Sequence, residues 1–125
     1  MTPPPNERDD LFKAFARALF KRDVDALYRV VTPDFWWSYS DGSSVAKLLN
    51  SSPKIIAHLD QQAALFSEQR FLDVVYHHLP ELSFMTCRVT ETYRGSGLQR
   101  EQRVIEQYRF ADGRIACKDV YRKSV

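Results

Sequence analysis

The run 104-VIEQYRF-110 sets a single carboxylate among apolar neighbours. In a strand alternate side chains share a face, so Val104, Glu106, Tyr108 and Phe110 lie together and Arg103, Ile105, Gln107 and Arg109 lie opposite. The apolar members gather on the Glu106 side, which makes that face the inward one. A carboxyl group taken out of water has its pKa raised and can give or take a proton near neutral pH, which suits general acid–base catalysis. A lysine beside it would do the opposite and hold it ionised in a buried ion pair. The first arrangement points to acid–base work on an enolisable or hydrated ring. The second points to a structural pair or to a contact for a polar ligand. In the preceding strand-like run the more apolar set is Met85, Cys87, Val89, Glu91 and Tyr93, so a second carboxylate, Glu91, shares the inward face.

The other groups with chemical potential are few. In 34-DFWWSYSDG-42 the two tryptophans are adjacent, so in a strand Trp36 and Trp37 point to opposite faces and cannot fill one core. His58 falls near the apolar positions Ile55 and Leu59 of a helix, within reach of a pocket or of the core. His77 and His78 are neighbours in a strand and cannot chelate one metal together. No grouping of His, Cys and Asp has ligand spacing, so neither a metal nor a cofactor is expected. A nucleophile elbow for a Ser/His/Asp triad is absent, and Gly95, Gly97 and Gly113 read as turn glycines, not a phosphate loop.

The elements that must position these groups follow from periodicity. Residues 1–6 read as a disordered lead-in and 7–125 as one domain. Leu11, Phe12, Phe15, Ala16, Leu19 and Phe20 recur at helical spacing between Glu7 and Lys21. Asp23 caps a short helix, 24-VDALYRVV-31, which Thr32-Pro33 ends before the strand 35-FWWSY-39. The polar segment 40-SDGSSVAKLLNSS-52 reads as a loop, a lid or a mobile edge. Ser52 caps a third helix with Pro53 at its first position. Period-two patterning then predicts strands near 70–78, 82–94, 100–110 and 114–122, joined by turns at Pro80-Glu81, Gly95-Ser96-Gly97 and Asp112-Gly113. Helices followed by a meander of strands give an α+β fold. Its curved antiparallel sheet wraps a long first helix and two further helices, and leaves one end open.

Composition excludes several classes. The 125 residues carry a net charge of +2 with both signs interspersed, too weak and mixed for nucleic acid. No run approaches the ~18 apolar residues of a membrane span. The start MTPPPNERDD has no apolar core of the kind a secretory signal needs. Cys87 and Cys117 form no disulfide framework and read as buried thiols in a reducing, cytoplasmic compartment.

Two runs carry a family likeness. The segment 19-LFKRDVDALYRVVTPDFWWS-38 resembles the opening of the nuclear transport factor 2-like superfamily, and 104-VIEQYRFADGRIACKDVYR-122 resembles its last hairpin, especially in the steroid delta-isomerase branch. The resemblance implies a cone-shaped half-barrel of cystatin-like arrangement. This fold hosts isomerases, dehydratases, hydrolases, SnoaL-like polyketide cyclases and non-enzymes. By alignment, the isomerases' oxyanion-hole tyrosine falls on Phe15 and their base on Tyr39, a poor base because a phenol titrates near pH ~10. Their protonated acid falls on Glu106. With two of three groups replaced, a steroid isomerase is not expected. The resemblance turns Tyr39, Trp37 and Phe35 toward the pocket and Trp36 away. It also turns Lys118, Val120 and Arg122 inward, whereas hydrophobicity alone prefers Ile115, Cys117 and Tyr121; a bulge would decide.

The candidate catalytic residues are therefore Glu106, assisted by Tyr39 or His58. Phe15, Trp37, Tyr39, Glu91, Tyr93, Glu106, Tyr108, Lys118 and Val120 are the candidate ligand contacts. The expected partner is a small hydrophobic molecule. Family precedent adds a homodimer through the outer sheet face around Arg88, Arg103, Ile105 and Arg109. The two functions in view are a SnoaL-like isomerase, cyclase or dehydratase and a binding or dimerisation module without chemistry.

Overall fold

The computed structural model describes residues 2–43 and 45–125. Helix α1 spans Pro5–Lys21 and α2 spans Val24–Val30, where the Asp23 side chain accepts a hydrogen bond from Ala26 N. Strand β1, Val31–Tyr39, is followed by the short β2, Lys47–Leu49, and by helix α3, Ser52–Leu65. Strands β3 (Phe66–His78), β4 (Leu82–Tyr93), β5 (Gln99–Ala111) and β6 (Arg114–Ser124) complete the chain. The result is the expected α+β half-barrel, with a curved, unclosed six-stranded sheet in the order β2-β1-β6-β5-β4-β3.

Four local expectations are corrected. The sheet is mixed, since three successive hairpins return β6 beside β1 in the same direction, and these two pair in parallel. The 40–52 segment is not wholly a loop, because Lys47–Leu49 pairs with Trp37–Tyr39 as an edge strand; Ser44 lies outside the described residues. Ser51, not Ser52, caps α3, its hydroxyl accepting from Lys54 N. The lead-in is ordered from Pro3. Pro3 is buried, and Pro5 opens α1, where its missing N–H costs nothing. Met1 lies outside the described residues.

Arg8 explains that ordering. It is only 2 % exposed, and no apolar pattern marks it. Its guanidinium donates to the carbonyls of Pro3, Leu79, Pro80 and Leu82 and to Ser83 Oγ, at 2.6–3.2 Å. It also lies 5.0 Å from the Phe110 ring centre. One buried cation thus satisfies the carbonyls of the β3–β4 turn and shuts the narrow end of the cone.

The core lies between α1 and the concave sheet. Phe12 stacks on Tyr76 and meets Tyr108 edge-on, while Phe15 meets Phe35 and Tyr108. Burying each phenylalanine contributes roughly 2–3 kcal/mol. The sheet bends at irregularities. In β3 pairing jumps between Leu72 and Val75, with Asp73 at φ 55°, a conformation aspartate tolerates. In β6 Arg109 pairs with Cys117 but Phe110 with Ile115, so Ala116 is the extra residue. Such bulges increase strand bend and twist. The bulge in β6 also resolves that strand's two readings. Ile115 and Cys117 are both buried, and beyond the bulge Lys118, Val120 and Arg122 face the cone.

Candidate functional site

A cavity of about 630 Å³ occupies the open end of the cone. Helix α1 supplies Phe15 and Leu19, α3 supplies His58 and Leu59, and the sheet supplies Trp37, Tyr39, Tyr76, Met85, Glu106, Tyr108, Lys118, Val120 and Arg122. Phe20, an α1 residue expected in the core, is 86 % exposed and borders this cavity from its rim. Trp37 is buried, whereas Trp36 on the opposite face is 38 % exposed.

Strand register builds the charged centre. Trp37 on β1 pairs with Lys118 on β6, and Lys118 pairs with Tyr108 on β5, so three side chains stand in one row across the sheet. Glu106 lies two residues from Tyr108 on the same face. The Tyr108 hydroxyl donates to Glu106 Oε1 at 2.5 Å, and Lys118 Nζ stands 3.7 Å from the same oxygen. That second distance makes an ion pair but is beyond hydrogen-bonding range. The ammonium instead lies 4.2 Å from the Trp37 ring centre and 5.4 Å from that of Phe15, in cation–π range. Burial pushes the Lys118 pKa down; Glu106 opposes this and Arg122 reinforces it. Burial, with the Glu106 charge beside it, raises Tyr108 well above the usual phenol value.

A second cluster covers the α3 side. The His58 ring packs 4.4 Å from Tyr39 and 5.0 Å from Trp37, centre to centre. Trp37 Nε1, Tyr39 OH, His58 Nδ1 and Arg122 Nε are buried without a hydrogen-bond partner among the described residues. All four residues line the cavity. Buried polar atoms nearly always find partners, so these four call for hydrogen bonds that the described residues do not supply. Two of them, the indole and guanidinium N–H, can only donate.

Burial and the cations Lys47, Lys118 and Arg122 push His58 down to about 4. His58 is therefore neutral at pH 7, a hydrogen-bonding group more than a proton reservoir. Its depressed pKa also sets a stability trend. Between pH ~6.5 and ~4 the unfolded chain binds a proton that the folded chain refuses, so stability falls as pH drops through that window. The loss attributable to His58 is about 3 kcal/mol at most, part of it screened. Urea midpoints measured from pH 7 to pH 4 should show this decline, and His58→Phe should flatten it.

Two expected ligand contacts lie elsewhere. Glu91 is fully buried and does not line the cavity, because it is enclosed by partners. It accepts from Arg100 Nε at 2.7 Å, Gln69 Nε2 at 2.6 Å and Arg122 at 3.2 Å. Burial raises its pKa, but these partners outweigh that and hold it below the ordinary value. Tyr93 packs on Phe66, and Arg100 covers both rings. Asp41 closes the network by pairing with Arg100 at 3.3 Å, and the Asp41 carbonyl accepts from Gln102 Nε2. This is a structural brace behind the cavity. It reaches the cavity through Arg122 and Gln69, which both line it. His77 and His78 are engaged separately, with Thr86 and with Ser83 and Asp9. Among the described residues no group of His, Cys, Asp and Glu is arranged to hold a metal.

Phe71, Val74 and Tyr76 also line the cavity, unforeseen by alternation. The β3 bulge breaks the period-two phase between Phe71 and Val74, so alternation from either end misplaces the other. The apolar identity of these residues was the only available signal.

A six-stranded curved sheet cupped around a long helix, with a polar-flecked cavity at its mouth, defines a class before any relative is considered. The chain has the nuclear transport factor 2-like fold. It is similar to an NTF2-like protein from Burkholderia xenovorans, at a TM-score of 0.81 and 14% identity over 94% of this chain and 90% of that one. A proposed polyketide cyclase from Xanthomonas campestris matches at 0.71 and 14%, over 93% and 90%. A protein of ketosteroid isomerase-like fold from Catenulispora acidiphila, solved in complex with trimethylamine, matches at 0.69 and 11%, over 92% and 85%. No family model matches the sequence, and no curated protein does.

Proposed function

We propose that this chain acts on a hydrophobic cyclic substrate by general acid–base chemistry, as a SnoaL-like isomerase, cyclase or dehydratase. The observation that carries this reading is the Glu106 carboxylate facing a cavity of about 630 Å³, with Tyr108 at 2.5 Å and Lys118 at 3.7 Å. The volume is that of a typical small-molecule site. Aromatic and aliphatic walls make it a hydrophobic pocket for a ring. Glu106 serves as the base that takes a proton from carbon beside a ring carbonyl and returns it elsewhere, with Lys118 as counter-ion. Trp37 Nε1, Arg122 Nε and the Tyr39 hydroxyl supply donors for ring oxygens; burial raises the Tyr39 pKa, so its proton stays on. The kinship in fold with a proposed polyketide cyclase supports the reading.

The Lys118–Glu106 pair favours a second reading, a ligand-binding module without chemistry. One experiment separates the two. With 2-tetralone as probe in D₂O, NMR should show deuterium entering beside the carbonyl faster than in buffer. A rise in Tm on probe binding without exchange would establish the binding module. Neither response across a panel of bicyclic ketones would sink both readings.

On the outer face Ile105 and Tyr121 are a registered pair, 49 % and 56 % exposed. These apolar side chains support a homodimer through that face. Light scattering should give twice the monomer mass, and Ile105→Asp should return it to monomer. The free, buried Cys87 and Cys117 fit a reducing, cytoplasmic compartment.

A further inference from the structure

We propose that Lys118 is a nucleophile that captures the carbonyl of the ligand as an imine, so that the cavity takes ketones or aldehydes covalently. The inference deepens the acid–base reading of the same cavity, yet it rests on the surroundings of one nitrogen. An ammonium carries three N–H donors, and Lys118 Nζ makes no hydrogen bond among the described residues. The nearest carboxylate oxygen, Glu106 Oε1, is 3.7 Å away and already accepts from Tyr108. The other neighbours are aromatic faces, Trp37 and Phe15. The side chain is 11 % exposed, and the residue lines the cavity. Burial and a second cation, Arg122, lining the same space work against the ammonium, while the Glu106 charge and the Trp37 and Phe15 faces offset part of that penalty. The other lysines, Lys13, Lys21, Lys47, Lys54 and Lys123, are all exposed, and Lys47 and Lys54 donate to Gln61 and Asn50 at 2.9 and 3.1 Å.

The chemistry balances without a further reagent. The Lys118 nitrogen lone pair bonds to the carbonyl carbon, and the C=O π pair moves to oxygen. The nitrogen loses a proton and the oxygen gains one, giving a carbinolamine. Glu106, within 3.7 Å of the nitrogen, is placed to relay that proton. Protonation of the hydroxyl and loss of water, driven by the nitrogen lone pair, leave the protonated imine, and return of its N–H proton to a base gives the imine, so amine and carbonyl yield imine and one water. A protonated imine withdraws electrons more strongly than the ketone did. It would ease the removal of a neighbouring proton by Glu106.

The test uses 1-phenylbutane-1,3-dione, a β-diketone that condenses with a neutral amine to a stable enaminone with loss of one water. The full-length chain is incubated with the diketone at pH 7, and the label is mapped by intact mass and peptide mass spectrometry. The expected result is one equivalent, on Lys118, at least ~10-fold faster than on any of Lys13, Lys21, Lys47, Lys54 or Lys123. Lys118→Arg, which keeps a cation over Trp37, and Lys118→Met should both abolish it; the wild-type map decides even if neither folds. Label spread over the exposed lysines, with Lys118 unmodified, would overturn the proposal. So would deuterium exchange into 2-tetralone with no adduct trapped on Lys118 by cyanoborohydride, an outcome that leaves the acid–base reading standing. Label on Lys118 without exchange would establish the covalent site and sink the acid–base reading instead.

Discussion

Glu106→Gln is expected to lower exchange at the carbon beside the ring carbonyl by 10²–10⁴-fold, the usual contribution of a positioned acid or base. The substitution keeps the shape of the side chain, and the amide oxygen still accepts from the Tyr108 hydroxyl that now stands 2.5 Å from Glu106 Oε1. What disappears is the ability to hold a proton. The fold should tolerate the change. Lys118 loses the carboxylate 3.7 Å away, but its ammonium keeps the Trp37 and Phe15 faces in cation–π range. A Tm within a few degrees of wild type, with binding of the ketone retained, would assign the loss to chemistry. Unchanged exchange would remove Glu106 from the mechanism. A collapse in stability would instead recast the carboxylate as half of a structural pair.

Glu91→Gln should give the opposite pattern, a large stability loss of about 3–5 kcal/mol. The carboxylate is fully buried and neutralises two guanidiniums, Arg100 and Arg122, whose side chains are 21% and 5% exposed. Removing the shared charge leaves Arg122 without its paired carboxylate and Arg100 with Asp41 alone, which costs far more than the cluster's net contribution. Thermal melts should move down by roughly 10–20 °C for a chain of this size. Acid should mimic the substitution. Glu91 is held below its ordinary value, so its contribution is present above pH ~4.5 and is lost as pH falls through the folded-state value. The wild-type acid limb below that point should be shallower in Glu91→Gln, whereas the decline between pH ~6.5 and ~4 belongs to His58. Because Arg122 also lines the cavity, ligand affinity should weaken in the same variant. A Tm within a few degrees of wild type would show that the arginines find other partners.

Much of the cone is legible in the chain alone. Helical spacing from Leu11 to Phe20, the Asp23 cap and the hairpin signal at Asp112-Gly113 each report a local conformational preference, and local preferences survive folding. The inward turn of Val104, Glu106 and Tyr108 is equally local, because a strand's alternation needs no partner. Other features depend on what a residue meets across the fold. Arg8 sits in an apolar helix pattern as an apparent surface charge, yet it caps carbonyls more than seventy residues away. Glu91 reads as a second inward acid, and only the register that sets Arg100 directly opposite it turns it into a brace. Lys118 faces the cavity because the pairing of β5 and β6 slips by one residue at Ala116, and Tyr76 does so after a similar slip at Asp73. Composition and period thus determined the elements and the carboxylate at their centre. Tertiary structure alone decided which charges neutralise one another and which are left facing the cavity, since bulges and ion pairs are settled between strands and not along them.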